Sequence, residues 1–115
     1  MSQKQQLAKL QQIAGLMLDS RLAALQTAAR AKAESEAQLA GLGVAVGAPA
    51  DISAVAAERA ALTYQRWADA RRAELNLVLA RQTVAWMEAR DAARVAFGKT
   101  EALAGVARKL ASQRL

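Results

Sequence analysis

The chain of 115 residues has no cysteine and no histidine, and these absences bound its function before any motif is considered. Without cysteine there is no disulfide framework, thiolate nucleophile or sulfur ligand; without histidine the usual proton shuttle and the commonest nitrogen ligand of metals are also missing. A non-enzymatic protein that needs no metal or cofactor is therefore expected. A single proline and few β-branched runs leave no strand signal of usable length. The longest uncharged stretch, Ala37 to Ala50, is too short and too rich in glycine to span a bilayer. Met1 to Gln5 lead directly into an amphipathic pattern without the apolar run and small-residue cleavage site of a secretory signal, so a cytoplasmic location is expected.

Hydrophobic residues make up 54% of the chain but aromatics only 3%, so alanine and leucine dominate, as they do in long helices and coiled coils. In residues 3 to about 40, Leu7, Leu10, Ala14, Met17, Leu18, Leu22 and Leu25 fall on one side of a helical projection. Gly41, Gly43, Gly47 and Pro49 then concentrate the helix breakers, which places a turn at about 41–51, with an unusually apolar Leu42, Val44 and Val46. Asp51 or Ser53 can cap a second helix spanning about 52–114, and a break near Gly98, with Thr100 capping a short third helix, is its alternative form. These elements make one all-α domain: a long antiparallel two-helix coiled-coil hairpin with a longer C-terminal helix.

The second helix carries two apolar rows. Leu62, Ala73, Leu77, Val84 and Val95 form one, and Tyr64, Leu75, Leu79, Trp86 and Phe97 form the other, displaced by two residues and so rotated by about 200°. Hairpin packing needs only one face, so the first row is assigned to the seam and the more aromatic second row to a protein partner or a second copy. Register estimated from the middle of the turn sets Leu7 opposite Met87, Leu10 opposite Val84, Met17 opposite Leu77 and Leu25 near Trp67, with Lys32 near Glu58. This buries Leu10, Met17, Leu25, Leu77 and Val84. Helix one is then exhausted near residue 91, and Arg94, Phe97, Lys99, Leu103, Val106, Arg108, Lys109 and Leu110 form a basic overhang that complements the partner surface.

The remaining signals are weak as chemistry. The carboxylates of Asp69 and Glu88 have basic neighbours at helical spacing and read as surface ion pairs, not as an acid–base couple. Gly98, Lys99 and Thr100 spell the end of a phosphate-binding loop, yet the required earlier glycine is Ala93 and no strand precedes it. Arg71 and Arg72 follow Trp67 by a turn and can stack on its indole, while Trp86 is a candidate hot-spot anchor. A net charge of +6 raises nucleic acid and acidic proteins as partners, but the cations are dispersed among acids and no nucleic-acid reading module is present.

An alanine-rich, basic helical hairpin of this size without catalytic groups resembles the FliJ-type stalk proteins of flagellar and related type III export systems. The run from Arg71 to Leu103, RRAELNLVLARQTVAWMEARDAARVAFGKTEAL, looks like the C-terminal helix of that family. The resemblance implies a coiled coil similar to the central stalk of rotary ATPases, with its helix ends inserted in a hexameric export ATPase ring and a link to the membrane export-gate protein. It assigns no individual binding residue. Two other classes stand beside it: a structural coiled coil that self-assembles by closing the Tyr64–Phe97 row against a second copy, and a basic nucleic-acid-binding helical protein with steep salt dependence.

Overall fold

The computed structural model describes residues 2–43 and 53–113, and these form two helices, α1 (Gln3–Gly41) and α2 (Ala54–Gln113), with no strand among the described residues. The protein is an all-α helical hairpin. Its helix ends are closed by local chemistry. Ser2 Oγ accepts from the Gln5 N–H at 3.2 Å while Gln5 Oε1 accepts from the Ser2 N–H at 3.2 Å, a reciprocal capping box that satisfies two otherwise free donors at the start of α1. At the other end of α1, the N–H groups of Leu42 and Gly43 turn back to the carbonyls of Leu39 and Ala40, tightening its last turn. Ser53 caps α2, its Oγ accepting from the Ala56 N–H at 3.2 Å. Val44, Val46, Gly47, Pro49 and Asp51 of the expected turn lie outside the described residues.

Helix α2 passes through Gly98 and Gly105 without interruption. Thr100 starts no helix there: its hydroxyl donates to the Ala96 carbonyl at 3.1 Å, and Thr27, Thr63 and Thr83 bond back to the carbonyl four residues earlier in the same way. This lets polar β-branched residues sit within a helix at little cost.

Packing falls into two parts: Met1–Ala29 with Val84–Leu115, and Arg30–Thr83. In the second part the inward-facing positions of α2 are Tyr64, Ala68, Arg71, Leu75, Leu79 and Gln82; in the first they are Trp86, Ala89, Ala93, Ala96, Thr100 and Leu103. Their spacing alternates between three and four residues, apart from one extra step of four between Leu75 and Leu79, which is the seam of a coiled coil with a local stutter. On α1 the matching positions include Leu7, Gln11, Ala14, Leu18 and Leu25 in one part, and Lys32, Ser35 and Leu39 in the other. Among the described residues the buried apolar ones are Ala68, Leu75, Ala93 and Ala96, with Ser35 as the buried polar one, so small residues dominate the fully buried positions.

Two expectations fail on this geometry. The row assigned to the seam faces out: Leu77 is 56% exposed and Val84 55%, and Leu62, Ala73 and Val95 are exposed with them. Leu10 and Met17 are exposed too, and of the five residues expected in the core only Leu25 is half-buried. Most of the row assigned to a partner faces in, Leu75 being 4% exposed and Tyr64, Leu79 and Trp86 half-buried; only Phe97 stays outside. The cause is that alanine, not leucine or valine, marks the contact. The larger apolar residues lie to either side of it.

The second failure is register. Arg71 Nη2 lies 3.4 Å from Gln38 Oε1 across the hairpin, and Leu10 to Arg21 of α1 face Asp91 to Leu103 of α2, so the pairing is displaced by about four turns from the one estimated from the turn. Residues 91–103 therefore do not overhang. The unmatched stretch lies at the opposite end of α2. With Gln38 beside Arg71, α1 ends at Gly41 and offers no residue opposite Ala54 to Arg66, and in this stretch only Ala57 and Tyr64 are even half-buried.

Replacing Leu75 by Ala should destabilise the hairpin by about 2 kcal/mol, whereas Leu77→Asp should change stability by no more than about 0.5 kcal/mol, both read from urea unfolding. The reverse order would restore the discarded face assignment. A Cβ added at Gly15 or Gly98 meets nothing within 4 Å, so Gly15→Ala and Gly98→Ala should each raise the unfolding free energy by about 1 kcal/mol through helix propensity.

Candidate interaction surface

In the part formed by residues 1–29 and 84–115, the alanine seam has a consequence on the surface. Ala14 on α1 and Ala92, Ala96 and Ala102 on α2 are too small to fill the valley between the helices, while Leu10, Ile13, Met17, Val95 and Leu103 stand along its sides. The result is an open apolar groove of about 670 Å³. Ile13 is 54% exposed and Val95 58%. Arg21, Asp91 and Lys99 are its charged lining residues. Asp91 Oδ1 lies 3.5 Å from Arg90 Nη2, and Arg90 also stacks on Trp86, its guanidinium carbon 5.1 Å from the ring centroid. No carboxylate lies within 4.0 Å of Arg21 or Lys99 among the described residues.

At the end of this part where α1 begins and α2 finishes, Lys4 and Lys9 share the surface with Arg108 and Lys109, and none of the four has a carboxylate within 4.0 Å among the described residues. Arg94 is exposed on the outer side of α2. Of the expected partner residues, Phe97, Arg94, Lys99, Arg108 and Lys109 are thus accessible, whereas Leu75 is taken up in the seam and Tyr64, Leu79 and Trp86 are half covered by it.

The part formed by residues 30–83 has a different surface. Its ion pairs run along single helices: Lys32 with Glu36 at 2.7 Å, Arg71 with Glu74 at 3.1 Å and Arg72 with Asp69 at 2.8 Å. Arg71 and Arg72 therefore engage carboxylates, while Trp67 packs against Tyr64 with centroids 5.8 Å apart. Val55, Leu62, Trp67, Leu77 and Val78 are exposed.

Gly98, Lys99 and Thr100 lie inside α2, where the backbone N–H groups are used in the helix and cannot cradle a phosphate. No group of three or more potential metal ligands occurs among the described residues, and no helix there is long and apolar enough to cross a membrane. Comparison with known protein families, with curated proteins and with solved structures gave no match.

Of the groove residues, Val95 belongs to the row assigned to the seam, while Ile13 and Arg21 carry no sequence signal of their own. Only the three- and four-residue spacing of the alanines beside them marks the valley. Spin labels replacing Leu10 and Leu103 should read a short distance across this groove, while labels at Leu10 and Val84 should be separated by roughly 25 Å or more. A short Leu10–Val84 distance would reinstate the register estimated from the turn. The absence of native cysteine makes both label pairs unambiguous.

Proposed function

We propose that this chain is a non-enzymatic helical-hairpin binding protein, and more specifically a cytoplasmic component of a flagellar or type III export apparatus that acts as stalk or regulator of a hexameric export ATPase and connects it to the export gate. The observation that carries the binding reading is how little the hairpin buries. Among the described residues four apolar ones are buried, while fifteen large apolar side chains are exposed. Exposed apolar area of this kind marks surfaces that work in contact with another protein.

The export form of the proposal rests on the resemblance of residues 71–103 to the FliJ-type C-terminal helix and on the hairpin fold that the family shares. The unpaired cations Lys4, Lys9, Arg108 and Lys109 beside the helix ends suit a role in which those ends enter a ring with an acidic inner surface. Self-assembly is the second reading, favoured by the same shortfall of buried area.

Mixing the full chain with its cognate hexameric export ATPase tests both. Co-elution and a raised ATP hydrolysis rate are expected, with the Arg108→Glu, Lys109→Glu double variant binding about tenfold more weakly through loss of charge complementarity. Absence of both co-elution and stimulation would overturn the export reading. A chain that then sediments as a stable oligomer by itself would establish self-assembly in its place.

A further inference from the structure

The apolar groove and the excess positive charge occur in the same part of the molecule. Residues 1–29 and 84–115 hold nine of the sixteen basic residues but four of the ten acidic ones, whereas residues 30–83 hold seven and six. The net charge of +6 is thus almost entirely a property of the groove-bearing part. We infer that this groove takes one amphipathic helix of an acidic partner protein, with its apolar face between α1 and α2 and its acidic flanks against Arg21 and Lys99.

Three observations favour that occupant. The groove runs from Leu10 to Arg21 on α1, which corresponds to about 16 Å or three helical turns, the reach of a short docked helix. Leu10, Ile13 and Met17 recur at steps of three and four residues, so they present knobs at the spacing a third helix meets when it joins a coiled coil. At the lining, Asp91 is already paired with Arg90, whereas Arg21 and Lys99 have no carboxylate within 4.0 Å among the described residues. The unmet charge is positive. A second copy of this chain would set like charge against like across the groove, which opposes close approach, while glutamates flanking an apolar stripe would answer both cations.

This inference goes beyond the export reading and does not need it: loss of ATPase stimulation and loss of helix docking are read in separate assays. Two synthetic helical peptides with the same leucine heptad face serve as probes, one carrying glutamate and the other lysine at its polar positions. Fluorescence anisotropy against the full chain at physiological salt should show the glutamate peptide binding at least about tenfold more tightly than the lysine peptide. The neutral variants Ile13→Gln and Val95→Gln should each weaken the glutamate peptide about tenfold without altering helical content, and Leu77→Gln, an exposed apolar residue in the other part, should change it by less than about twofold. Equal affinity for the two peptides would overturn the proposal, as would equal sensitivity to Ile13→Gln and Leu77→Gln. So would a wild-type dimer that Ile13→Gln converts to monomer, since the occupant would then be a second copy.

Discussion

The size of the side chains between α1 and α2 governs what the rest of this molecule can do. Ala68, Ala93, Ala96 and Ser35 bring the helices together with little apolar area to bury per residue, and among the described residues Leu75 is the one large side chain buried with them. Burying an alanine removes a single methyl group from water, worth roughly 0.8 kcal/mol, against about 1.5–3 kcal/mol for a leucine or valine. The seam therefore gains close packing at the expense of hydrophobic driving force. Buried polar atoms sharpen that contrast: Gln82 Oε1 in the seam and Arg90 Nε beside it are buried without a hydrogen-bond partner, each at a desolvation cost.

Much of the fold was legible because it depends on local chemistry. Helix formers, the breakers after Ala40 and the hydroxyl of Ser53 are read from single positions and near neighbours, and they located two helices and their order to within a few residues. Face and register were not legible in that way. Both opposed rows on α2 have helical periodicity, and hydrophobicity favours the bulkier residues for the core, although here Leu77, Val84 and Val95 flank the contact. The better signal was the run of Ala89, Ala93, Ala96 and Thr100 at steps of three and four, which hydrophobic size alone passes over. Register failed for a different reason: the turn was treated as symmetric, whereas Gln38 beside Arg71 leaves the first turns of α2 with no part of α1 opposite them.

The exposed apolar excess was legible in residue counts, but its place was not. Counting residues implies a chain with more apolar side chains than two helices can bury, and among the described residues fifteen large ones are exposed. Which side chains remain outside depends on the seam, so Leu75 moved from candidate anchor to core while Leu10 and Met17 moved from core to groove wall. The cations kept their accessibility because long charged side chains keep their heads in water on either assignment.

Charge and packing then divide the chain's work in a way that neither shows alone. Residues 30–83 are almost balanced in charge and hold near-neighbour ion pairs along each helix, each worth only a few tenths of a kcal/mol, so this part has little net attraction for a charged partner. Residues 1–29 and 84–115 combine cations that have no ion-pair partner among the described residues with a valley whose apolar walls have no cover among them. For the proposed acidic partner, long-range attraction to that part would accelerate encounter, but screening over about 8–10 Å at physiological salt would leave it unable to hold the complex. Retention must come from Ile13, Met17 and Val95 leaving water, and the alanines that weaken the hairpin's own core are what open the space for that contact.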